Sequence, residues 1–139
     1  MKLIAKTLEI ALQAHRGQTD KSGEAYILHP LRLMSKMKSD DEKAVALLHD
    51  VIEDSDFSDE TLLSQGIPEH VVNAVKSLTK IDGESYQEFI ERVKFNPLAK
   101  KVKIADLEDN INILRLKSLN PDDLQRVKKY HQAWMVLNS

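Results

Sequence analysis

Apolar residues recur along this chain at intervals of three and four, and no stretch alternates apolar with polar over the length of a strand. Leu3, Ile4, Leu8, Ile10, Ala11 and Ala14 mark a first helix that ends before Gly17. A polar loop follows, Thr19-Asp20-Lys21-Ser22-Gly23-Glu24. A short helix begins near His29-Pro30, with proline in the first turn, where its missing N–H is tolerated. Ser39-Asp40-Asp41-Glu42 is a capping box for a third helix that runs through Ala44, Val45, Leu47, Leu48, Val51 and Ile52. A fourth helix starts near Ser58 and stops at Gly66, and Pro68 opens a fifth over 71–78. Ser85-Tyr86-Gln87-Glu88 is a second capping box, opening a sixth. Asn96-Pro97 opens a seventh, carrying Leu98, Val102, Ile104, Ala105, Ile111, Ile113 and Leu114. Asn120-Pro121 opens the last, which ends near Leu137. The four glycines and four prolines fall between or at the edges of these segments. The pattern predicts an all-α fold of about seven or eight helices, a single compact domain over 1–139 without repeat or linker.

Composition narrows the chemistry. The 139 residues suit one domain with a real core. With no cysteine there is no disulfide, thiolate metal site or cysteine nucleophile. The 20 basic and 22 acidic side chains leave a formal charge of −2, which excludes broad electrostatic binding to nucleic acid. No apolar run approaches the roughly 18 residues that span a bilayer, so no membrane partner is expected. The start, Met1-Lys2-Leu3-Ile4-Ala5-Lys6, lacks the apolar stretch and cleavage site of a signal peptide, and a cytoplasmic setting is expected. Protein partners and oligomeric state are not legible.

The third helix carries the informative residues. Ala44-Val45-Ala46-Leu47-Leu48 reads as buried and runs straight into His49-Asp50-Val51-Ile52-Glu53-Asp54. Buried carboxylates without partners are costly, and a bound cation removes that cost. His49 and Asp50 offer the nitrogen and oxygen donors that divalent transition metals accept. On a continuous helix, Glu53 lies one turn from His49 and Asp54 one turn from Asp50, giving two candidate ligands beside two candidate proton carriers. The competing reading makes Glu53, Asp54, Asp56 and Asp59 a solvated helix end. The seventh helix repeats the theme, with Asp106 inside an apolar run, Asn110 one turn on, Asp109 on a neighbouring face and Glu108 solvated. His29 stands at a helix start that can aim an imidazole into a cleft. His15 is expected to be structural, and His70 and His131 to be surface or packing residues.

The ordered set Ala14-His15-Arg16-Gly17-Gln18, Lys21-Ser22-Gly23-Glu24-Ala25-Tyr26-Ile27-Leu28-His29-Pro30, His49-Asp50-Val51-Ile52-Glu53-Asp54 and Val102-Lys103-Ile104-Ala105-Asp106-Leu107-Glu108-Asp109-Asn110 resembles the HD-type hydrolase domain of Rel/Spo alarmone enzymes. It is most similar to their stand-alone small forms, over residues 3–134. The resemblance implies an all-α HD fold that binds one divalent metal, usually manganese (Mn2+), through His29, His49, Asp50 and Asp106. It implies that Glu53 and Asp54 position the attacking water and handle protons. It also implies that Asn110, Tyr130, Lys21 and Ser22 contact a small-molecule nucleotide. The bifunctional relatives continue into a synthetase domain that 139 residues cannot hold, so hydrolysis alone is expected.

Two departures bear on the substrate. Where the family carries an arginine that packs on guanine, this chain has Asp20, and an anion cannot supply that cation–π contact. After Asp106 the family has a basic residue, then Leu, then an aromatic or His before Asn. Here the run is Leu107-Glu108-Asp109-Asn110. The leading expectation is a metal-dependent pyrophosphohydrolase that removes the 3′-pyrophosphate of (p)ppGpp or a related alarmone. Lys21, Arg16 and Lys103 are the candidate cations for phosphoryl charge, although Lys103 reads equally as a solvated flank. Two alternatives stay open: a phosphatase of another phosphorylated nucleotide such as NADPH or an adenosine alarmone, and a non-catalytic metal- or nucleotide-binding module.

Overall fold

The computed structural model describes residues 2–139. Met1, the first residue of the stretch read above for a leader and of the 1–139 span, lies outside the described residues. The described residues form nine α-helices, a 3-10 turn and no strand beyond an isolated bridge between Thr19 and Ala25. The helices are α1 (Lys2–Ala14), α2 (Leu28–Ser35), α3 (Asp40–Leu48), α4 (Val51–Asp54), α5 (Asp59–Ser64), α6 (Glu69–Ser77), α7 (Tyr86–Lys94), α8 (Pro97–Asn110) and α9 (Pro121–Leu137). The all-α expectation is met. Among the described residues no helix is long and apolar enough to cross a membrane.

The starts of the helices follow from local chemistry. Ser39 with Glu42, Ser85 with Glu88, Ser58 with Thr61 and Asn120 with Asp123 each satisfy two orphan amides reciprocally at a helix entrance. Asn96 accepts from the Ala99 amide, with Pro97 inside the first turn.

α3 lies at the centre of the core, and its residues 44–48 are fully buried. A helix apolar on every side must be surrounded, and α1, α2, α6 and α8 all pack on α3. α8 in turn packs on α2 and α9. This arrangement lays the start of α2, the end of α3 and the last turns of α8 against one another, so residues distant in sequence converge at that end of the core.

Two features differ from the reading of the sequence. The third helix is not continuous through Ile52. The carbonyl of Ala46 accepts a hydrogen bond from His49 Nδ1 (2.7 Å), Asp50 takes φ −107° and ψ 3°, and the helix restarts as α4 at Val51. The Asp54 amide still bonds to the Asp50 carbonyl (2.9 Å), so Asp54 keeps its place one turn from Asp50. The seventh helix stops at Asn110 rather than running to Leu114, and a 3-10 turn, Ile113–Arg115, follows.

Candidate metal centre and nucleotide cleft

Four side chains singled out from sequence meet at the convergence of α2, α3 and α8. His29 Nε2 lies 2.8 Å from Asp106 Oδ1, and His49 Nε2 lies 3.0 Å from Asp50 Oδ2 and 3.6 Å from Asp106 Oδ1. The His29 and His49 rings meet edge to face with centroids 5.1 Å apart. Ligand atoms of His29, His49 and Asp50 all fall within 4.8 Å of one another, a group able to hold a metal ion.

The donor set can be tested on the atoms themselves. A carbonyl only accepts, so His49 Nδ1 carries a hydrogen and donates it to Ala46. His49 Nε2 is fully buried and makes no hydrogen bond, although two carboxylate oxygens stand 3.0 and 3.6 Å away. An orphaned buried nitrogen facing two anionic oxygens is the environment that a divalent cation would satisfy. Imidazole nitrogen and carboxylate oxygen, without thiolate, match that class of ion.

The electrostatics show how strongly these carboxylates favour positive charge at the same place, whether from a proton or an ion. Burial opposes charge on His49, but Asp50 and Asp106 beside it raise its pKa well above the ordinary imidazole value. Burial likewise opposes charge on Asp106, and Lys103, with the two histidines, holds its carboxyl far below the usual range. Lys103 Nζ sits 2.8 Å from Asp106 Oδ2 and 5.3 Å from the centre of the Phe89 ring. Lys103 is therefore an internal partner of Asp106, not a solvated flank.

The paired acids occupy different settings. Glu53 is exposed and accepts the Lys80 amide at 2.7 Å. Asp54 has its pKa pushed up to about 6 by partial burial and by the neighbouring charges of Asp50 and Glu53. Its main-chain carbonyl accepts Gln18 Nε2 at 2.9 Å, and Gln18 Oε1 in turn accepts His15 Nδ1 at 2.8 Å. Buried His15 thus has the structural setting expected of it. His70 is exposed and pairs with Asp41, and His131 is exposed.

Beside the cluster opens a cleft of about 380 Å³, a volume suited to a small molecule. Lys21, Ser22, Asn110 and Tyr130 line it, as do Asp20, Tyr26, Arg115 and Arg126. Arg16 and Lys103 do not. Asn110 and Tyr26 connect the cleft to the cluster, because Asn110 Nδ2 donates to Asp106 Oδ1 (3.0 Å) and the Tyr26 hydroxyl donates to Asp50 Oδ2. Asp20 shapes its own loop: its Oδ1 accepts the Ser22 amide, the Ser22 hydroxyl and the Glu24 amide at 2.7–3.0 Å. Gly23, at φ +86°, completes that turn with a backbone which other residues rarely adopt.

Reading the sequence overlooked several of these residues. Tyr26 stands three positions before His29, a spacing that could have flagged it. Asp109 is not turned aside to a neighbouring face but is buried, with His29 Nδ1 2.6 Å from its Oδ2 and Arg32 and Arg115 on its Oδ1. Its separation of three from Asp106 was the available signal. Glu108 is exposed as expected and accepts Trp134 Nε1 at 3.1 Å.

No protein-family model matches the chain. It is 31% identical to a guanosine-3′,5′-bis(diphosphate) 3′-pyrophosphohydrolase of Vibrio cholerae over 93% of this chain and 20% of that protein. It is 33% identical to the bifunctional (p)ppGpp synthase/hydrolase SpoT of Escherichia coli over the same shares. A Haemophilus influenzae protein with the pyrophosphohydrolase name is 35% identical over 86% of this chain. The chain spans about a fifth of the length of these curated relatives. A solved structure of a metazoan SpoT ortholog, described as hydrolysing ppGpp, superposes with a TM-score of 0.80 at 23% identity, covering 99% of this chain and 85% of that one. This chain is thus similar in sequence, over nearly all its length, to one stretch of the (p)ppGpp 3′-pyrophosphohydrolases, and it has the fold of their metazoan counterpart.

Proposed function

We propose that this chain, acting as one domain over 1–139, is a divalent-metal-dependent hydrolase that removes the 3′-pyrophosphate of (p)ppGpp or a closely related nucleotide. The observation that carries the reading is the orphaned Nε2 of His49, buried among His29, Asp50 and Asp106 beside a nucleotide-sized cleft. His29, His49, Asp50 and Asp106 would hold the ion, and manganese suits this nitrogen and oxygen set. An ion held there supplies Lewis acidity, polarising a phosphoryl oxygen and making a water easier to ionise near neutral pH.

The remaining work falls to the chain. Tyr26 fixes Asp50 through its hydroxyl, and Lys103 and Asn110 fix Asp106, so the carboxylates are held before substrate arrives. Asp54, ionising near neutral pH, takes the proton of the attacking water, and Glu53 stands beside it. Lys21, Ser22, Asn110 and Tyr130 hold the nucleotide in the cleft, with Lys21 meeting phosphate charge.

Asp20 favours a second reading of the same centre, in which the base is not guanine: an acidic group lines the cleft where the family stacks arginine. One experiment separates the readings. Purified protein is assayed with manganese on (p)ppGpp, NADPH and adenosine alarmones, before and after rigorous chelation, beside Asp50→Ala. The proposal expects release of pyrophosphate from (p)ppGpp, abolished by chelation and by Asp50→Ala. Activity that survives chelation overturns it, and turnover of another nucleotide with none of (p)ppGpp selects the second reading.

A further inference from the structure

Asp109 is 5% exposed, and a carboxylate so buried needs partners. Arg32 approaches edge-on, with Nε 2.8 Å from Oδ1 and Nη2 3.0 Å from Oδ2. Arg115 reaches it from the 3-10 turn after α8, with Nη1 3.1 Å from Oδ1 and Nη2 2.7 Å from the Asp109 carbonyl. His29 Nδ1 completes the set at 2.6 Å from Oδ2.

Two of these partners face outward to different tasks. The other ring nitrogen of His29 points at Asp106 in the cluster (2.8 Å), whereas Arg115 lines the nucleotide cleft. A carboxylate accepts hydrogen bonds and donates none, so Asp109 keeps a hydrogen on His29 Nδ1 and turns Nε2 to the cluster, where Asp106 accepts its hydrogen and a bound ion would take that hydrogen's place. Arg32 and Arg115 clamp that carboxylate from two sides, so its oxygens have little freedom to follow any other donor. A purely structural role would need only the tie between α2 and α8, which Arg32 supplies by itself with two hydrogen bonds.

We infer that Asp109 is a positioning residue that sets the orientation of His29 and mechanically joins it, through Arg115, to the wall of the nucleotide cleft. The inference rests on the proposed reading of His29 as a residue that faces a metal ion. Loss of Asp109 loosens ion binding without removing any group that would touch the ion, and loss of Arg115 does so more weakly from the cleft side.

The test is direct titration of the full chain with Mn2+ and no nucleotide, by calorimetry, for wild type, Asp109→Asn and Arg115→Met. It is paired with 15N NMR of labelled histidine in the metal-free protein to read the hydrogen bond at His29 Nδ1. Asp109→Asn should bind Mn2+ about 10–100-fold more weakly, the range for an outer partner of a ligating histidine, and the Nδ1–H signal of His29 should lose the shift of a hydrogen held by a carboxylate. Arg115→Met should weaken binding in the same direction by a smaller factor. If Asp109→Asn does not fold, Arg115→Met, a change on the partly exposed side of the clamp, decides by itself. Wild-type affinity in a folded Asp109→Asn protein, or in Arg115→Met where only that variant folds, overturns the inference. Failure of the wild type to take up Mn2+ instead overturns the metal-site reading on which the inference rests.

Discussion

Lys103 Nζ lies 2.8 Å from Asp106 Oδ2, one turn away on α8, with only 14% and 6% of the two side chains exposed. Neither charge is solvated, so each depends on the other. Breaking such a pair from one side costs about 3–5 kcal/mol when the other charge is left alone, and because His29 and Asn110 still hold Asp106 the loss here should be nearer about 3 kcal/mol. Lys103→Met should lower unfolding stability in urea by about that much in the presence of chelator. Saturating Mn2+ should recover part of the loss, since a cation beside Asp106 replaces the missing charge. An equal loss with and without Mn2+ would place Asp106 away from the ion.

The proposed centre stabilises the fold by mass action if it binds a metal. At Mn2+ a hundredfold above its Kd, the folded state gains about 2.7 kcal/mol, which corresponds to a rise in Tm of roughly 10 °C for a domain of this size. His49→Ala should remove the Mn2+-dependent part of Tm whatever it does to the baseline. A calorimetric scan with and without Mn2+ measures this.

The pKa of Asp54, about 6, gives two linked expectations. If Asp54 accepts the proton, kcat/KM should rise with pH through about 6, and Asp54→Asn should lose this limb and about 10²–10⁴-fold in rate. For stability the sign is opposite. The folded pKa lies above the ordinary aspartate value of 3.8, so Asp54 contributes fully below about pH 4 and that contribution is lost as pH rises to about 6. With chelator present, Asp54→Asn should therefore match wild type near pH 4 and exceed it at pH 7. The side chain is largely exposed and solvent screens it, so the excess should be no more than about 1 kcal/mol. Urea melts at the two pH values check the sign.

Tyr26 meets Asp50 through its hydroxyl and packs its ring against His15, with centroids 4.8 Å apart. Tyr26→Phe keeps the ring and removes the donor. Mn2+ affinity should fall about tenfold while the fold, read by circular dichroism, stays intact. Unchanged affinity would mean that Asp50 is held in place without Tyr26.

Much of the fold was legible because helices are local. Ser39, Ser58, Ser85, Asn96 and Asn120 start helices through groups within four residues, and Gly17 and Gly66 follow the ends of α1 and α5. The burial of 44–48 followed from an unbroken apolar run, and the His49-Asp50 pair stood out because it continues that run. The break at Asp50 was not legible, since the side chain of His49 takes the Ala46 carbonyl and no periodicity records that.

What the sequence by itself determined is the set of helices, their caps, the buried centre and the residue types able to hold a metal. Only the tertiary structure decided which of those residues meet. Tyr26 and Asp50 are 24 positions apart, His29 and Asp106 77, and His29 and Asp109 80. Helical periodicity reports neighbours three and four residues away, whereas these contacts depend on how α2, α3 and α8 pack. That packing turned Lys103 inward to Asp106, gave Asp20 to its own loop and made Asp109 the partner of His29, three assignments that the sequence pattern had placed elsewhere or left open.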